Sequence, residues 1–222
     1  MKTTIASLAL RQAPSMSSPH EAGTRLGAVI LAGGKATRLP NKCLRLVGGK
    51  ELVLHVFERV SMAVPEIVVV GKTVQDVSRL QQVLPKARIV HDESLAQSPL
   101  VGLLCGLRAL ETEYVFAAAC DMPFLEPQII RSLHAQATGR DAAIPHSNGK
   151  LEPLCAVYKR TSAINAASNC LQSKRTSILE MIKELRNIVR VSKEELRKDD
   201  PRLLTFINVN TEDDMKNAEA FL

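Results

Sequence analysis

The sequence contains no tryptophan, and aromatic residues make up only 3% of the chain. Proteins that bind single-stranded nucleic acid commonly stack the bases on aromatic side chains, so this scarcity disfavours that function. No run of about 18 apolar residues is present, so no membrane-spanning helix is predicted. We therefore expect neither a nucleic acid nor a membrane as a partner.

Cysteine is sparse and unpatterned. The five cysteines are scattered, their number is odd, and no CxxC pair occurs. These features argue against a disulfide framework and against a zinc site. A reducing cytoplasm is the location that they predict. The five are Cys43, Cys105, Cys120, Cys155 and Cys170.

A chain of 222 residues with 45% apolar residues can bury a substantial core, and its length favours one domain. Residues 1–25 are rich in Ser, Pro and Ala without periodicity and are predicted to form a flexible tail, with Met16 as an alternative start. The domain is expected over residues 26–222. Basic residues exceed acidic ones by six, which favours an anionic partner such as a nucleotide.

Continuous apolar runs alternate along the chain with segments whose apolar residues recur at helical spacing. Such runs are typical of strands buried on both faces of a parallel sheet, and the alternation predicts helices on both sides. We predict a three-layer α/β fold whose ligands bind beyond the carboxyl ends of the strands. Predicted strands cover 26–32, 66–71, 87–90 and 114–121, with helices from 51, 74 and 99 and over 126–137.

The pattern changes after Ser147. Asn148-Gly149 between two apolar runs predicts a hairpin, so we expect a small antiparallel element at the edge of the sheet. Thr211 is a predicted N-cap, with Asp213 and Asp214 in the first turn of a closing helix. Further helices are predicted around 160–172 and 176–185, and further strands at 188–191 and 203–210.

The stretch GAVILAGGKATRLPNKCLRL, residues 27–46, combines a strand end with glycines and cations. Gly33 and Gly34 leave the backbone uncovered, so successive N–H groups can approach phosphate oxygens. Lys35, Arg38 and Lys42 can neutralise a triphosphate. The stretch matches neither GxxxxGK[ST] nor GxGxxG. An ordinary strand-end turn with solvated lysines remains an alternative.

Four segments in order carry a resemblance to a known family. LAGGKATR with a lysine four residues later resembles the LAGGxSxRMGxxK motif of Rossmann-like nucleotidyltransferases, in particular the MobA-type molybdenum cofactor guanylyltransferases. The others are IVHDESLAQSPLVGLLCGL, AACDMPFL and FINVNTEDD, and the resemblance spans residues 26–222. It implies an α/β, three-layer Rossmann-like nucleotidyltransferase fold with a mostly parallel sheet.

The resemblance also implies an activity. The family transfers GMP from GTP to the terminal phosphate of molybdopterin and releases pyrophosphate, with Mg²⁺ as the cofactor. Expected partners are GTP and a molybdopterin-type acceptor, with transient contacts to other cofactor-biosynthesis proteins or molybdoenzymes. The attacking phosphate is already anionic, so the enzyme must chiefly align two anions and screen their charge.

Roles follow from the matched positions. Asp121 matches the metal-binding acid, with a helix N-cap as its alternative role. Lys42 and Arg38 match cations at the triphosphate, and these three residues are the expected catalytic set. The expected nucleotide-binding residues are Leu31, Ala32, Gly33, Gly34, Lys35, Lys42, Asp92 and Asp121, of which Asp92 is assigned to the guanosine moiety or to a local turn.

The expected acceptor-binding residues are less specific. Asn208 and Asn210 match the asparagines of the NVN motif, although asparagine at a strand end often satisfies local backbone groups. Lys174 and Arg175 are acceptor candidates by charge alone, and a solvated helix end is their alternative.

The chain departs from the family pattern at several positions. LPN stands between Arg38 and Lys42 where many relatives have a longer, glycine-containing run, and Gly71 replaces a nucleotide-contacting asparagine. In relatives that use CTP the second glycine of the loop is commonly alanine, so the resemblance implies that Gly34 favours guanine over cytosine. Two alternative functions stay open: a nucleotidyltransferase that acts on a sugar phosphate or another phosphorylated metabolite, and a non-catalytic nucleotide- or nucleic-acid-binding module.

Overall fold

The computed structural model describes residues 25–33, 39, 41–91 and 98–221. The predicted tail lies outside this part of the chain except for Arg25, whose carbonyl accepts the N–H of Tyr114 at 3.1 Å. The strands are β1 (Leu26–Leu31), β2 (Leu46–Val47), β3 (Lys50–Glu51), β4 (Glu66–Gly71), β5 (Arg88–His91), β6 (Tyr114–Ala119), β7 (Ala142–Ser147), β8 (Lys150–Leu151), β9 (Cys155–Lys159) and β10 (Ile188–Ser192). The α-helices are α1 (Leu52–Ser61), α2 (Val74–Val83), α3 (Pro99–Ala109), α4 (Pro127–Ala137), α5 (Arg160–Gln172), α6 (Ile178–Glu184) and α7 (Glu212–Glu219).

One large mixed sheet organises the fold. Its order is β10-β7-β9-β6-β1-β4-β5, with β8 paired to β7, while β2 and β3 form a separate ribbon. Strand β1 pairs in parallel with β4 on one side and β6 on the other. The predicted three-layer α/β fold with a mostly parallel sheet is confirmed, and the carboxyl ends of β1, β4 and β6 meet at one edge of the sheet.

The alternation of side chains along β1 builds the two cores. Ala28 and Ile30 face a cluster that includes Val56 of α1 and Leu80 of α2. Val29 and Leu31 face the opposite cluster with the leucines of α3. Because successive side chains of a strand point to opposite faces, a wholly apolar strand serves both layers at once. Within the described residues no helix has the length and apolarity needed to span a bilayer.

Helix α3 lies unusually close to the sheet. A Cβ placed on Gly106 would come within 2.5 Å of Cγ1 of Val29, whereas one on Gly102 would be 3.5 Å from Leu31. The first distance is shorter than any normal carbon contact, so a glycine at 106 sets the separation of α3 and β1.

The antiparallel part of the sheet lies deeper than the sequence predicted. The hairpin itself is confirmed, since Asn148 and Gly149 have φ of 48° and 77° and join β7 to β8. However, β9 lies between β6 and β7 and pairs antiparallel with both, rather than at the edge. An interior place is physically consistent because Cys155–Tyr158 are buried. The sequence shows that this strand is apolar on both faces, but not which strands flank it.

The predicted strand at 203–210 is wrong. A 3₁₀ turn forms at Leu204–Phe206, and no strand follows it before α7. The buried Thr205 holds this segment: its N–H donates to Asp200 Oδ2 at 2.8 Å, and its hydroxyl accepts the N–H of Glu126 at 3.0 Å. Val209 is buried in a small separate cluster with Leu39. The apolar residues of this segment are buried one by one in different parts of the core. Their composition resembles that of a strand, so the sequence alone does not distinguish the two cases.

The closing helix begins as predicted. Thr211 is the N-cap of α7, and its hydroxyl accepts the N–H of Asp214 at 3.1 Å. The carboxylate of Asp214 accepts the N–H of Thr211 in return at 2.9 Å, which completes a capping box. The turn before this helix is thereby fixed, and it carries Asn210.

Candidate functional site

A cavity of about 660 Å³ opens at the carboxyl edge of the sheet. It lies at the ends of β1 and β6, where the sequence predicts the ligand. Helix α2 and the 3₁₀ turn Lys42–Leu44 also contribute residues to its wall. The lining residues are Leu31, Ala32, Gly33, Leu39, Asn41, Lys42, Cys43, Leu44, Asp76, Leu80, Pro99, Ala119, Cys120, Asp121, Leu154 and Asn210.

The end of β1 contributes backbone to the cavity. The N–H of Ala32 donates to the carbonyl of Val70 at 2.9 Å, so the chain continues the sheet beyond Leu31. Gly33 is exposed, and a Cβ there would lie 2.8 Å from both the backbone nitrogen and the Cβ of Lys72. This glycine is therefore required by the neighbouring backbone, and it also leaves the backbone at the cavity uncovered.

Lys42, Asp121 and Asn210 meet at one end of the cavity. The ammonium of Lys42 lies 2.5 Å from Asp121 Oδ2 and 2.7 Å from Asn210 Oδ1. The Lys42 and Asp121 side chains are only 13% and 17% exposed. These three residues come from three of the four sequence motifs that carry the family resemblance. Segments that are distant in sequence thus contribute side chains to one site.

Lys42 is held by a local turn. Asn41, immediately before it, has a left-handed φ of 54°, and its side-chain carbonyl accepts Arg79 Nη1 of α2 at 3.1 Å. Asparagine tolerates this conformation better than most residues. The loop carrying the lysine is thus tied to α2 on one side and, through the lysine, to the end of β6 on the other.

Asp121 is not a helix cap. Helix α4 begins at Pro127 with Glu126 as its N-cap, so the alternative role considered for Asp121 is wrong. The carbonyl of Asp121 accepts the N–H of Val209 at 2.9 Å. This bond brings the NVN segment against the end of β6 and leaves the carboxylate directed to Lys42.

The two asparagines of the NVN motif have different environments. Asn210 contacts Lys42, and its N–H donates to Asp214 Oδ2 at 2.8 Å. That backbone hydrogen bond is the main reason why the pKa of Asp214 lies below its usual value. Asn208 is exposed two residues earlier. Asn210 therefore stabilises the local turn through its backbone and contacts Lys42 through its side chain. A role in the turn and a role in the site are thus compatible for this residue.

Two predicted acceptor residues lie away from the cavity. Lys174 and Arg175 lie in the turn between α5 and α6 and do not line the cavity, and Arg175 pairs with Glu184 at 2.7 Å. Four further predicted site residues lie outside the described residues. They are Gly34, Lys35, Arg38 and Asp92.

Sequence reasoning missed a pair of thiols beside the charged group. Cys43 Sγ lies 2.7 Å from Cys120 Sγ and donates to the carbonyl of Ala32 at 2.8 Å. The hydrogen bond with Cys43, followed by burial, raises the pKa of the Cys120 thiol well above its usual value. The two cysteines are 77 positions apart, so no local pattern could have revealed the contact.

The described residues hold no cluster of three or more metal-ligating side chains. Beside Lys42 the site offers the carboxylate of Asp121, with the amide oxygen of Asn210 bound to the same lysine. Mg²⁺ is typically bound by one or two carboxylates together with substrate phosphates and water. The donor set therefore fits a magnesium ion that arrives with a nucleotide.

Comparison with known proteins identifies the family of the chain. Residues 28–188 match the family model of the MobA-like NTP transferase domain. The chain belongs to this family. A molybdenum cofactor guanylyltransferase from Desulfosudis oleivorans is 32% identical over 195 residues, which cover 86% of this chain and 93% of the relative.

Solved structures agree with the family assignment. Molybdopterin-guanine dinucleotide biosynthesis protein A from Archaeoglobus fulgidus superposes with a TM-score of 0.77 at 29% identity, covering 88% of this chain and 97% of its own. A 4-diphosphocytidyl-2C-methyl-D-erythritol synthase from Anaerococcus prevotii shares the fold at 17% identity, with a TM-score of 0.70 and coverages of 90% and 96%. The nucleotidyltransferase fold predicted from the sequence is confirmed.

Proposed function

We propose that the protein transfers GMP from GTP to the terminal phosphate of molybdopterin and releases pyrophosphate. The observation that carries this proposal is the meeting of Lys42, Asp121 and Asn210 at one end of the cavity. Relatives that cover most of the chain and are named for this reaction support the choice of substrates. The scattered free cysteines favour the cytoplasm as the location.

In the proposed reaction an oxygen of the acceptor phosphate attacks the α-phosphorus of GTP. The bond from that phosphorus to the bridging oxygen breaks, and the electron pair leaves with pyrophosphate. The attacking oxygen needs no proton removed, so the main task is to bring two anions together. The segment Leu31, Ala32 and Gly33, which lines the cavity, is assigned to the nucleotide, as are Gly34 and Lys35.

Lys42 has the central electrostatic role in this proposal. Its ammonium is largely shielded from water, so it attracts phosphate oxygens more strongly than an exposed lysine would. Arg38 is assigned to the same triphosphate. Asn210, and with it Asn208, is assigned to the acceptor side, while Lys174 and Arg175 remain acceptor candidates by charge alone.

We further propose that Asp121 binds Mg²⁺. When bound, the ion would add positive charge at the phosphates and help to orient them. In its absence the carboxylate orients Lys42, which keeps the ammonium at the end of β6. Both roles need a carboxylate that is fixed in place, and the bond between Asp121 and Val209 provides this.

Pyrophosphate release tests the proposed function. The purified protein is incubated with molybdopterin, Mg²⁺ and one of GTP, CTP, ATP or UTP. We expect turnover with GTP to exceed turnover with the others. A hexose 1-phosphate in place of molybdopterin should give none, and faster turnover with CTP or with the sugar phosphate would contradict the proposal.

A further inference from the structure

One wall of the cavity carries a carboxylate that the proposed reaction does not use. Among the described lining residues, the charged side chains are Lys42, Asp121 and Asp76. The first two pair with each other, whereas Asp76 lies on α2. This residue lies outside the four segments that carry the family resemblance.

Asp76 is fixed by the start of its helix. Its Oδ2 accepts the N–H of Thr73 at 2.9 Å, and its own N–H donates to the Thr73 hydroxyl at 3.1 Å. These bonds form a capping box, which restricts the orientation of the carboxylate. Because a carboxylate offers about four lone-pair sites, one capping bond leaves most of its accepting capacity available.

The end of β4 allows this carboxylate to approach. A Cβ on Gly71 would lie 3.4 Å from the Cβ of Asp76 and 3.2 Å from Val77. A larger side chain at position 71 would therefore compete with Asp76 for the space above the strand end. The glycine lets the first turn of α2 lie directly against the sheet.

The order of the strands separates Asp76 from Lys42 and Asp121. Strand β1 lies between β4 and β6, so Asp76, which follows β4, and Asp121, which follows β6, stand on opposite sides of the end of β1. A nucleoside triphosphate whose phosphates reach Lys42 would direct its base toward α2. Leu80 of the same helix also borders the cavity.

The chemistry of a carboxylate selects among the bases. Guanine presents two adjacent donors, N1–H and the 2-amino group, which match the two oxygens of a carboxylate. Adenine and cytosine place an acceptor next to their amino group, and a carboxylate would repel it. We propose that Asp76 recognises the Watson–Crick edge of guanine, an inference that rests on the proposed use of GTP and assigns its base-binding residue.

The substitution Asp76→Asn tests this assignment through an exchange of preference. Xanthine carries a carbonyl where guanine carries its 2-amino group, and an asparagine amide can donate to that carbonyl. We expect the affinity for GTP to fall and that for XTP to rise, each by roughly 10- to 100-fold. Isothermal titration calorimetry with each nucleotide measures this without any acceptor, so it does not depend on the transfer reaction.

Thr73→Ala is the matched control. It removes one capping bond from the same helix end but keeps the carboxylate, so the ratio of GTP to XTP affinity should stay unchanged. If Asp76→Asn does not fold, Asp76→Ser, which retains a capping side chain, should lose the discrimination between the two nucleotides.

An unchanged ratio in Asp76→Asn would overturn the inference, as would the same exchange produced by Asp92→Asn instead. Failure of wild-type protein to release pyrophosphate from GTP and molybdopterin would count against the proposed function. The binding measurement would still decide the role of Asp76.

Discussion

The ammonium of Lys42 lies 2.5 Å from Asp121 Oδ2, which joins residues 79 positions apart in the sequence. Lys42 follows β1 in the chain and Asp121 follows β6, and these two strands pair in parallel at the centre of the sheet. The ion pair is largely shielded from water, unlike the nearby pair of Arg45 and Glu212, whose side chains are 41% and 58% exposed. The exposed pair can therefore serve as a control for substitutions in the shielded pair.

Removing the charge of Asp121 should reduce turnover without unfolding the protein. We expect Asp121→Asn to lower pyrophosphate release from GTP by about 10²- to 10³-fold, because an oriented charge at the reacting phosphates is lost. Arg45→Ala breaks the exposed ion pair and should change stability by less than about 1 kcal/mol, with turnover retained. Equal turnover in wild type and Asp121→Asn would show that Asp121 has no role in the reaction.

Two glycines of α3 should respond oppositely to alanine. Gly106→Ala places a methyl group against Val29 and should lower the free energy of unfolding by about 1 to 3 kcal/mol. Gly102→Ala makes only ordinary contacts and should be neutral, or stabilising by up to about 1 kcal/mol through helix propensity. Urea denaturation measures both, and a loss of stability in Gly102→Ala as large as that in Gly106→Ala would contradict the close approach.

Asp141 should make stability depend on pH. Burial alone would raise its pKa, but hydrogen bonds from the Ser162 hydroxyl at 2.7 Å and from the N–H groups of Asn187 and Arg186, both at 3.0 Å, hold the pKa below its usual value. A lowered pKa means that the stabilisation is complete above the unfolded pKa of about 3.9 and is lost as the pH falls through the folded value.

Thermal unfolding of Asp141→Asn checks this sign. The variant should melt below wild type at pH 7, and the difference should shrink as the pH falls below about 4. Asp213→Asn is the control, because the Asp213 side chain is 88% exposed and lies 3.9 Å from Lys216. A difference in melting temperature between Asp141→Asn and wild type that grows on acidification would show that the pKa of Asp141 is not lowered in the folded protein.

The thiol contact predicts sensitivity to oxidants. Hydrogen peroxide can oxidise Cys43 and Cys120 to a disulfide, with both thiol protons and the two peroxide oxygens leaving as two molecules of water. The cross-link would join the neighbours of Lys42 and Asp121, so we expect turnover to fall and to return with dithiothreitol. Peptide mass mapping should find the loss of two hydrogens at this pair.

Cys43→Ser should protect the enzyme from peroxide. Cys105→Ser, which removes a half-buried thiol bonded to the carbonyl of His91 at 3.5 Å, should leave the sensitivity unchanged. Equal inactivation of Cys43→Ser and wild type would show that oxidation acts elsewhere.

Much of the fold could be predicted because its signals are local. The apolar runs of β1, β4 and β6 specify strands buried on both faces, and Asn148-Gly149 specifies a hairpin through its left-handed backbone. The place of β9 could not be predicted, since pairing depends on which apolar edges remain open once the other strands have assembled. The strand predicted at 203–210 is wrong because Thr205 hydrogen-bonds to Glu126 and Val209 packs in a cluster with Leu39, and neither pairs with a neighbouring strand.

The sequence by itself determined the strands β1, β4, β5 and β6 with the helices between them, and the position of Asp121 just after a strand, because each depends on residues close together in the chain. Only the tertiary structure decided that Lys42, Asp121 and Asn210 share one charged group, that Cys43 contacts Cys120, and that Asp76 lines the same cavity. These contacts arise because parallel strands bring their carboxyl ends to a common edge, whatever their separation in sequence.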